Sequence, residues 1–170
     1  IIMGAGIPTT ATYIILVAVA APALAQLGIE PLVAHFFVFY YVVLADITPP
    51  VALAAYAASG IAKSNPFKTG NTAFRLGIAK ALVPFVFVYS PSLLLITGEF
   101  QTNQLIITLI GTLIGIALIG IAFSGYWFRP LKQYVLIIIV IRSLFFVAPG
   151  IESMVFGLIF IFPLLFFLFL

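Results

Sequence analysis

Apolar residues run along this chain in long blocks separated by short polar stations. Residues 12–26 form an apolar arm that ends at Gln26, Gly28, Glu30 and Pro31. A second apolar stretch, 32–62, is interrupted at "ADITPPVA", and the most polar segment, "KSNPFKTGNTAFRLGIAK", comes next. A third block covers 78–96 with Pro84 and Pro91 inside it and Gly98 and Glu99 at its end. The fourth, 105–123, is dotted with glycine and carries no charge. After "SGYWFRPLKQY" come an apolar segment at 134–149, which contains Arg142 and ends at Pro149-Gly150, and a last one at 154–170. An α-helix needs about 20 apolar residues to cross a bilayer, so these blocks predict membrane spans.

Composition agrees. Of 170 residues, 65% are hydrophobic and 6% charged, with a mean hydropathy of +1.35. A soluble domain carries about a quarter charged residues, so this surface could not be wetted. The expected fold class is all-α: a polytopic transmembrane helix bundle with the lipid bilayer as its solvent. Seven Lys and Arg against four Asp and Glu give a net charge of +3, which in a membrane protein is read by position, as orientation. No stripe of cations interleaved with exposed aromatics is present, so no nucleic-acid partner is expected. The absence of cysteine excludes disulfides, thiolate metal sites and cysteine nucleophiles. No His/Asp/Glu cluster has metal-ligand spacing either, so no transition-metal site is expected. No basic n-region precedes the first apolar run. A chain that opens inside an apolar run is expected to continue upstream.

Positive charge sets the topology. Lys63, Lys68, Arg75 and Lys80 mark one cytoplasmic segment, and the interfacial pair Tyr126–Trp127 beside Arg129 and Lys132 marks another. The Glu30 and Glu99 loops then face the outside. The arm 12–26 descends from that face, and its 15 or so residues reach roughly 22 Å, short of a hydrocarbon core about 30 Å thick. The break at its N-terminal end is therefore expected inside the membrane. Residues 134–149 read either as a short span or as an amphipathic helix lying in the interface.

That first break is "GAGIPTTATYI". Glycine and proline are poor helix residents, and irregular backbone at membrane depth is tolerated only where protein buries it or water reaches it. Gly4, Gly6 and Pro8 would form the tip of a re-entrant hairpin, with Thr9 and Thr10 opening the returning helix. Either threonine can cap that helix, and its N-terminus presents partial positive charge to an anion.

A second break repeats the logic. "LADITPPVALAAY" sets Asp46, Thr48, Pro49 and Pro50 in the middle of an apolar stretch. Two consecutive prolines remove two helix donors, leaving carbonyls one turn earlier unpaired. Free carbonyls beside a carboxylate suit a hard cation such as Na⁺, and a half-helix starting near Val51 offers its N-terminus to an anion. The plain alternative is a proline kink satisfied by neighbouring helices. Asp46 weighs against it, because an intramembrane carboxylate is expensive and marks function by default. His35 lies three helical turns before Asp46. It reads as a hydrogen-bonded packing residue, with a proton relay to Asp46 as the other option. Arg142 and Glu152 pair or snorkel at an interface. Gly111, Gly115 and Gly120 read as a helix-packing face.

"GAGIPTTATYI" and "HFFVFYYVVLADITPPVALAAYAASGIA", in this order, together with "TAFRLGIAKALVPFVFVYSP", resemble the C-terminal half of the large permease subunit of TRAP transporters. The hydrophobic tail resembles the fused, TAXI-type branch. The resemblance implies a sodium-coupled secondary transporter of organic anions in a bacterial or archaeal cytoplasmic (inner) membrane. It implies an extracytoplasmic substrate-binding protein, an N-terminal inverted half of the same permease, an elevator-like transport domain, Na⁺ as coupling ion and no organic cofactor. Carried onto this chain, Gly4, Gly6, Pro8, Thr9 and Thr10 would line the substrate at the hairpin tip. Gly4, Gly6, Asp46, Thr48, Pro49 and Pro50 would hold Na⁺, largely through backbone carbonyls. Residues 1–62 would belong to the transport domain, 63–76 to a cytoplasmic amphipathic connector, 77–125 to transmembrane helices and 126–170 to a membrane tail.

Other classes are weaker matches. A channel filter repeats around a symmetric axis, which one asymmetric pair of breaks does not suit. Neither a G-x-S-x-G elbow nor an H-E-x-x-H pair occurs, so no enzyme is expected. A non-transporting structural membrane subunit and a proton-coupled transporter stay open.

Overall fold

The computed structural model describes residues 7–95, 101–127, 129–148 and 150–159. Gly4, Gly6, Glu99 and the segment 160–170 lie outside the described residues. The described chain is all-α apart from one two-residue β-ladder, and it divides after Val88 into two compact units.

In the first unit, α1 (Thr9–Gln26) and α2 (Pro31–Ala45) form an antiparallel hairpin. The turn between them follows from its residues. Gly28 takes a left-handed φ of 82°, its N–H bonds the Ala25 carbonyl, and the Ile29 N–H bonds that of Leu24. This is the Schellman arrangement, which only glycine adopts cheaply. Pro31 then opens α2 at a position where its missing N–H costs nothing.

The first helix is longer than the arm at 12–26. It starts at Thr9, because the first four residues of a helix need no intrahelical donors and tolerate Thr-Thr directly after Pro8. Its 18 residues reach about 27 Å, close to a full crossing, so the reach of this arm no longer places the break deep in the bilayer. The proposed re-entrant tip at Gly4 and Gly6 lies outside the described residues.

After Ala45 the second apolar stretch breaks, and α3 (Leu53–Ile61) resumes it two residues later than Val51. Asn65 caps α4 (Pro66–Gly77), its side chain accepting from the Lys68 N–H at 3.1 Å. Gly70 lets α4 lie against α3, since a Cβ there would meet Tyr56 Cε1 at 2.9 Å. Helical backbone continues through a 3₁₀ segment (Ile78–Leu82) into α5 (Val83–Tyr89). The apolar run Pro66–Tyr89 is thus 24 residues long and begins well ahead of Ile78. Pro84 falls in the first turn of α5 and Pro91 at the first position of a separate 3₁₀ segment, Pro91–Leu94. Neither interrupts a helix, contrary to their expected place inside a span. Edge-to-face pairs Phe37–Phe85, Phe36–Phe87 and Tyr40–Phe87 pack α2 on this region. The Tyr41 hydroxyl donates to the Ala81 carbonyl at 2.9 Å.

The second unit is built on α6 (Thr102–Ser124), α7 (Gln133–Val147) and α8 (Ile151–Ile159). Gly125, with φ of 73°, ends α6, and Tyr126–Trp127 pairs antiparallel with Arg129–Pro130 in the connection to α7. A Cβ on Gly115 would meet the Ser143 carbonyl at 3.1 Å, and one on Gly111 the Phe146 carbonyl at 2.7 Å. Ala122 clusters with Val135 and Ile139. The rising and falling numbers show α6 and α7 to be antiparallel, packed on small residues as membrane helices are. Gly120 does not join this face, since nothing lies within 4 Å of a Cβ there.

The exposed residues of α7 beyond its first turn include Ile137, Ile138, Ile141, Leu144 and Phe145. An interfacial helix would show a polar outer face, so this one suits lipid. Arg142 does not snorkel, being 5% exposed, and forms no ion pair with Glu152 among the described residues. Packing against α6 holds its stem inward. Three described segments are long and apolar enough to cross a bilayer: Thr9–Gln26, Pro66–Tyr89 and Thr102–Ser124.

Candidate functional site

The two polar breaks of the first unit meet. Antiparallel pairing of α1 and α2 brings the start of one helix to the end of the other, and the Thr9 hydroxyl donates to Asp46 Oδ2 at 2.9 Å. Thr9 does not cap its helix. Pro8 occupies the cap position, no side chain bonds the first-turn N–H groups, and the Thr9 hydroxyl is committed to the carboxylate. Thr10 lies exposed beside it.

These residues line one end of a cavity of about 870 Å³. Thr9, Thr10, Tyr13, His35 and Asp46 are its polar lining, and Leu32, Phe36, Phe39 and Val43 its apolar wall. Tyr13 and His35 share a hydrogen bond, 2.8 Å between the hydroxyl and Nδ1, so His35 is hydrogen-bonded as its sequence context suggests. Eleven residues separate His35 from Asp46, about 16 Å along a helix, so no proton passes directly between them. No Lys or Arg lines the cavity. Among the described residues, Asp46 has no cationic partner.

The proline break seals itself. Pro49 and Pro50 would orphan the carbonyls of Ala45 and Asp46. Instead the Thr48 N–H bonds Ala45 O at 3.0 Å, and the Ala54 N–H reaches back to Asp46 O at 3.1 Å. The Thr48 hydroxyl donates to the Leu44 carbonyl at 2.7 Å, and the Tyr56 hydroxyl donates to that of Pro50. Ala52, at φ of 35°, turns the chain into α3. The expected free carbonyls at Ala45 and Asp46 are therefore paired, and further cation contacts there would use their second lone pairs. Thr48, Pro49 and Pro50 do not line the cavity.

Tyr13 and His35 carry a signal that sequence reasoning left unused. Residues 35, 39, 43 and 46 follow helical spacing, as do 9 and 13, so each set shares a helix face. Among the described residues, no group of three or more His, Asp or Glu side chains could hold a metal ion.

Apolar crossing helices, a hairpin joined at a carboxylate and a helix broken by prolines define a multi-pass membrane protein with a polar site between its helices. Residues 1–102 match the family model described as Tripartite ATP-independent periplasmic transporter, DctM component. The match covers more than half of the chain, which therefore belongs to this family of transporter permeases. No curated protein and no solved structure matches it.

Proposed function

We propose that this chain is the C-terminal half of the large permease of a TRAP transporter of the fused, TAXI type. In this reading the complete permease imports organic anions by sodium symport across a bacterial or archaeal inner membrane. An extracytoplasmic binding protein delivers the substrate, and an N-terminal inverted half supplies the facing hairpin and broken helix.

The carrying observation is the Thr9–Asp46 hydrogen bond at the end of the cavity. An ionised carboxylate between apolar helices is costly unless a cation answers it. Asp46 has one oxygen fixed by Thr9 and no cationic side chain beside it, which suits a mobile cation such as Na⁺. Thr10, Gly4, Gly6 and Pro8 then belong to the substrate side of the same junction. Asp46, Thr48, Pro49 and Pro50, with the Gly4 and Gly6 backbone, belong to the ion side.

The test is uptake by the complete permease in vesicles, with its binding protein, across a sodium titration. Uptake that rises with an inward sodium gradient supports the reading. Uptake that ignores sodium and follows a proton gradient replaces it with proton coupling, and no uptake by any gradient leaves a structural subunit.

A further inference from the structure

The second unit holds a charge that nothing within it answers. Arg142 on α7 is 5% exposed, and its Nε has no hydrogen-bond partner among the described residues. On the facing helix the Thr112 hydroxyl, in a residue 8% exposed, is likewise buried without a partner. A guanidinium cannot shed its proton to relieve burial.

Its depth follows from the register of α6 and α7. The 23 residues of α6 reach about 34 Å, enough to cross the hydrocarbon core, and the helix is centred on Leu113. Gly115 meets Ser143 and Gly111 meets Phe146, so Arg142 and Thr112 both lie within about one turn of that centre. The headgroup region is then about 15 Å away. A side chain snorkelling toward a lipid phosphate would show exposure that Arg142 lacks.

Neither acid of the unit reaches it. Glu152 opens α8 and forms no ion pair with Arg142 among the described residues. Glu99 is tethered three residues before Thr102, a leash of about 10 Å. The Thr102 end of α6 is itself about 15 Å from Thr112.

We propose that Arg142 is half of an intramembrane ion pair whose carboxylate belongs to a membrane segment outside residues 89–170. Thr112 supplies a second buried donor at the same level. The pair docks the α6–α7 hairpin, which lies beyond the matched residues 1–102, onto the remainder of the permease. Charge complementarity and depth specify the partner: an Asp or Glu near the bilayer centre.

The test uses the complete permease and reads the yield of folded, monodisperse protein, with no reference to transport. Arg142→Glu is expected to lower that yield about tenfold, the scale set by an unmatched charge at mid-membrane. Arg142→Lys should retain most of it, and Arg142→Leu should fall between. Among single Asp or Glu to Lys replacements in the other membrane segments, one should rescue Arg142→Glu while being defective alone. The inference is overturned if no acidic position rescues Arg142→Glu, or if Arg142→Leu and Arg142→Glu both match wild type. It is also overturned if wild type is stabilised by phosphatidylglycerol over phosphatidylcholine vesicles and Arg142→Leu is not, since a lipid headgroup would then be the partner.

Discussion

Thr9 and Asp46 stand 37 positions apart in sequence and 2.9 Å apart in space. Their hydrogen bond ties the first residue of α1 to the residue just past α2. It also joins the two places where this apolar chain carries helix-breaking and polar residues.

Removing the donor should loosen that junction. Thr9→Val keeps the side-chain shape and leaves the carboxylate oxygen without its partner. Hydrogen bonds to charged groups contribute about 1.5–3 kcal/mol, so the complete permease should melt at a lower temperature, with Thr9→Ser close to wild type. Equal melting temperatures for Thr9→Val and wild type would show the bond to be energetically idle.

Asp46→Asn separates charge from geometry. The amide oxygen still accepts from Thr9, but the negative charge is gone. Under the sodium reading, the sodium concentration for half-maximal uptake should rise while substrate affinity at saturating sodium changes little. An unchanged sodium titration would remove Asp46 from the ion's surroundings.

Tyr13 and His35 offer the contrasting case. They line the same cavity about 16 Å along α2 from Asp46. His35→Gln and Tyr13→Phe should alter apparent substrate affinity and leave the sodium response as it was. Loss of proton-driven uptake in His35→Gln, with sodium irrelevant, is the result that would favour proton coupling.

Small residues on α6 divide into two kinds. An Ala at Gly111 would press on the backbone of Phe146, an overpacking that costs about 1–3 kcal/mol. Gly120→Ala enters open space and should stabilise by up to about 1 kcal/mol through helix propensity. Thermal melting of both variants in detergent should move in opposite directions.

Topology can be read chemically because the chain lacks cysteine. Single cysteines at Lys68 and Lys132 should label only from the cytoplasmic side, and one at Glu30 only from outside. Labelling of position 68 from outside would reverse the orientation.

The spans were legible in the sequence because apolar length is a strong signal, and Gly28 with Pro31 marked the α1–α2 turn. Each polar break was visible alone, as Asp46 or the Gly-Pro-Thr cluster stands out against apolar neighbours. Their meeting was not, since it depends on the register set by that turn. Nor was the repairing of the break, which needs the Ala54 N–H to reach back eight residues through the left-handed turn at Ala52. Snorkelling failed as a guide to Arg142 because it assumes a free helix end. The glycine-set register of α6 and α7 puts this residue mid-helix instead.

The repaired carbonyls of Ala45 and Asp46 have a consequence for affinity. A loop that a ligand must first shape consumes part of the binding free energy in ordering. Here Thr48 and Ala54 already hold the bend between α2 and α3 with bonds made inside the protein, so its shape persists when no ion is bound. A cation arriving at Asp46 would meet a rigid, preset receptor. Its release would then leave the bend intact, and the empty and loaded forms of this corner would share one backbone.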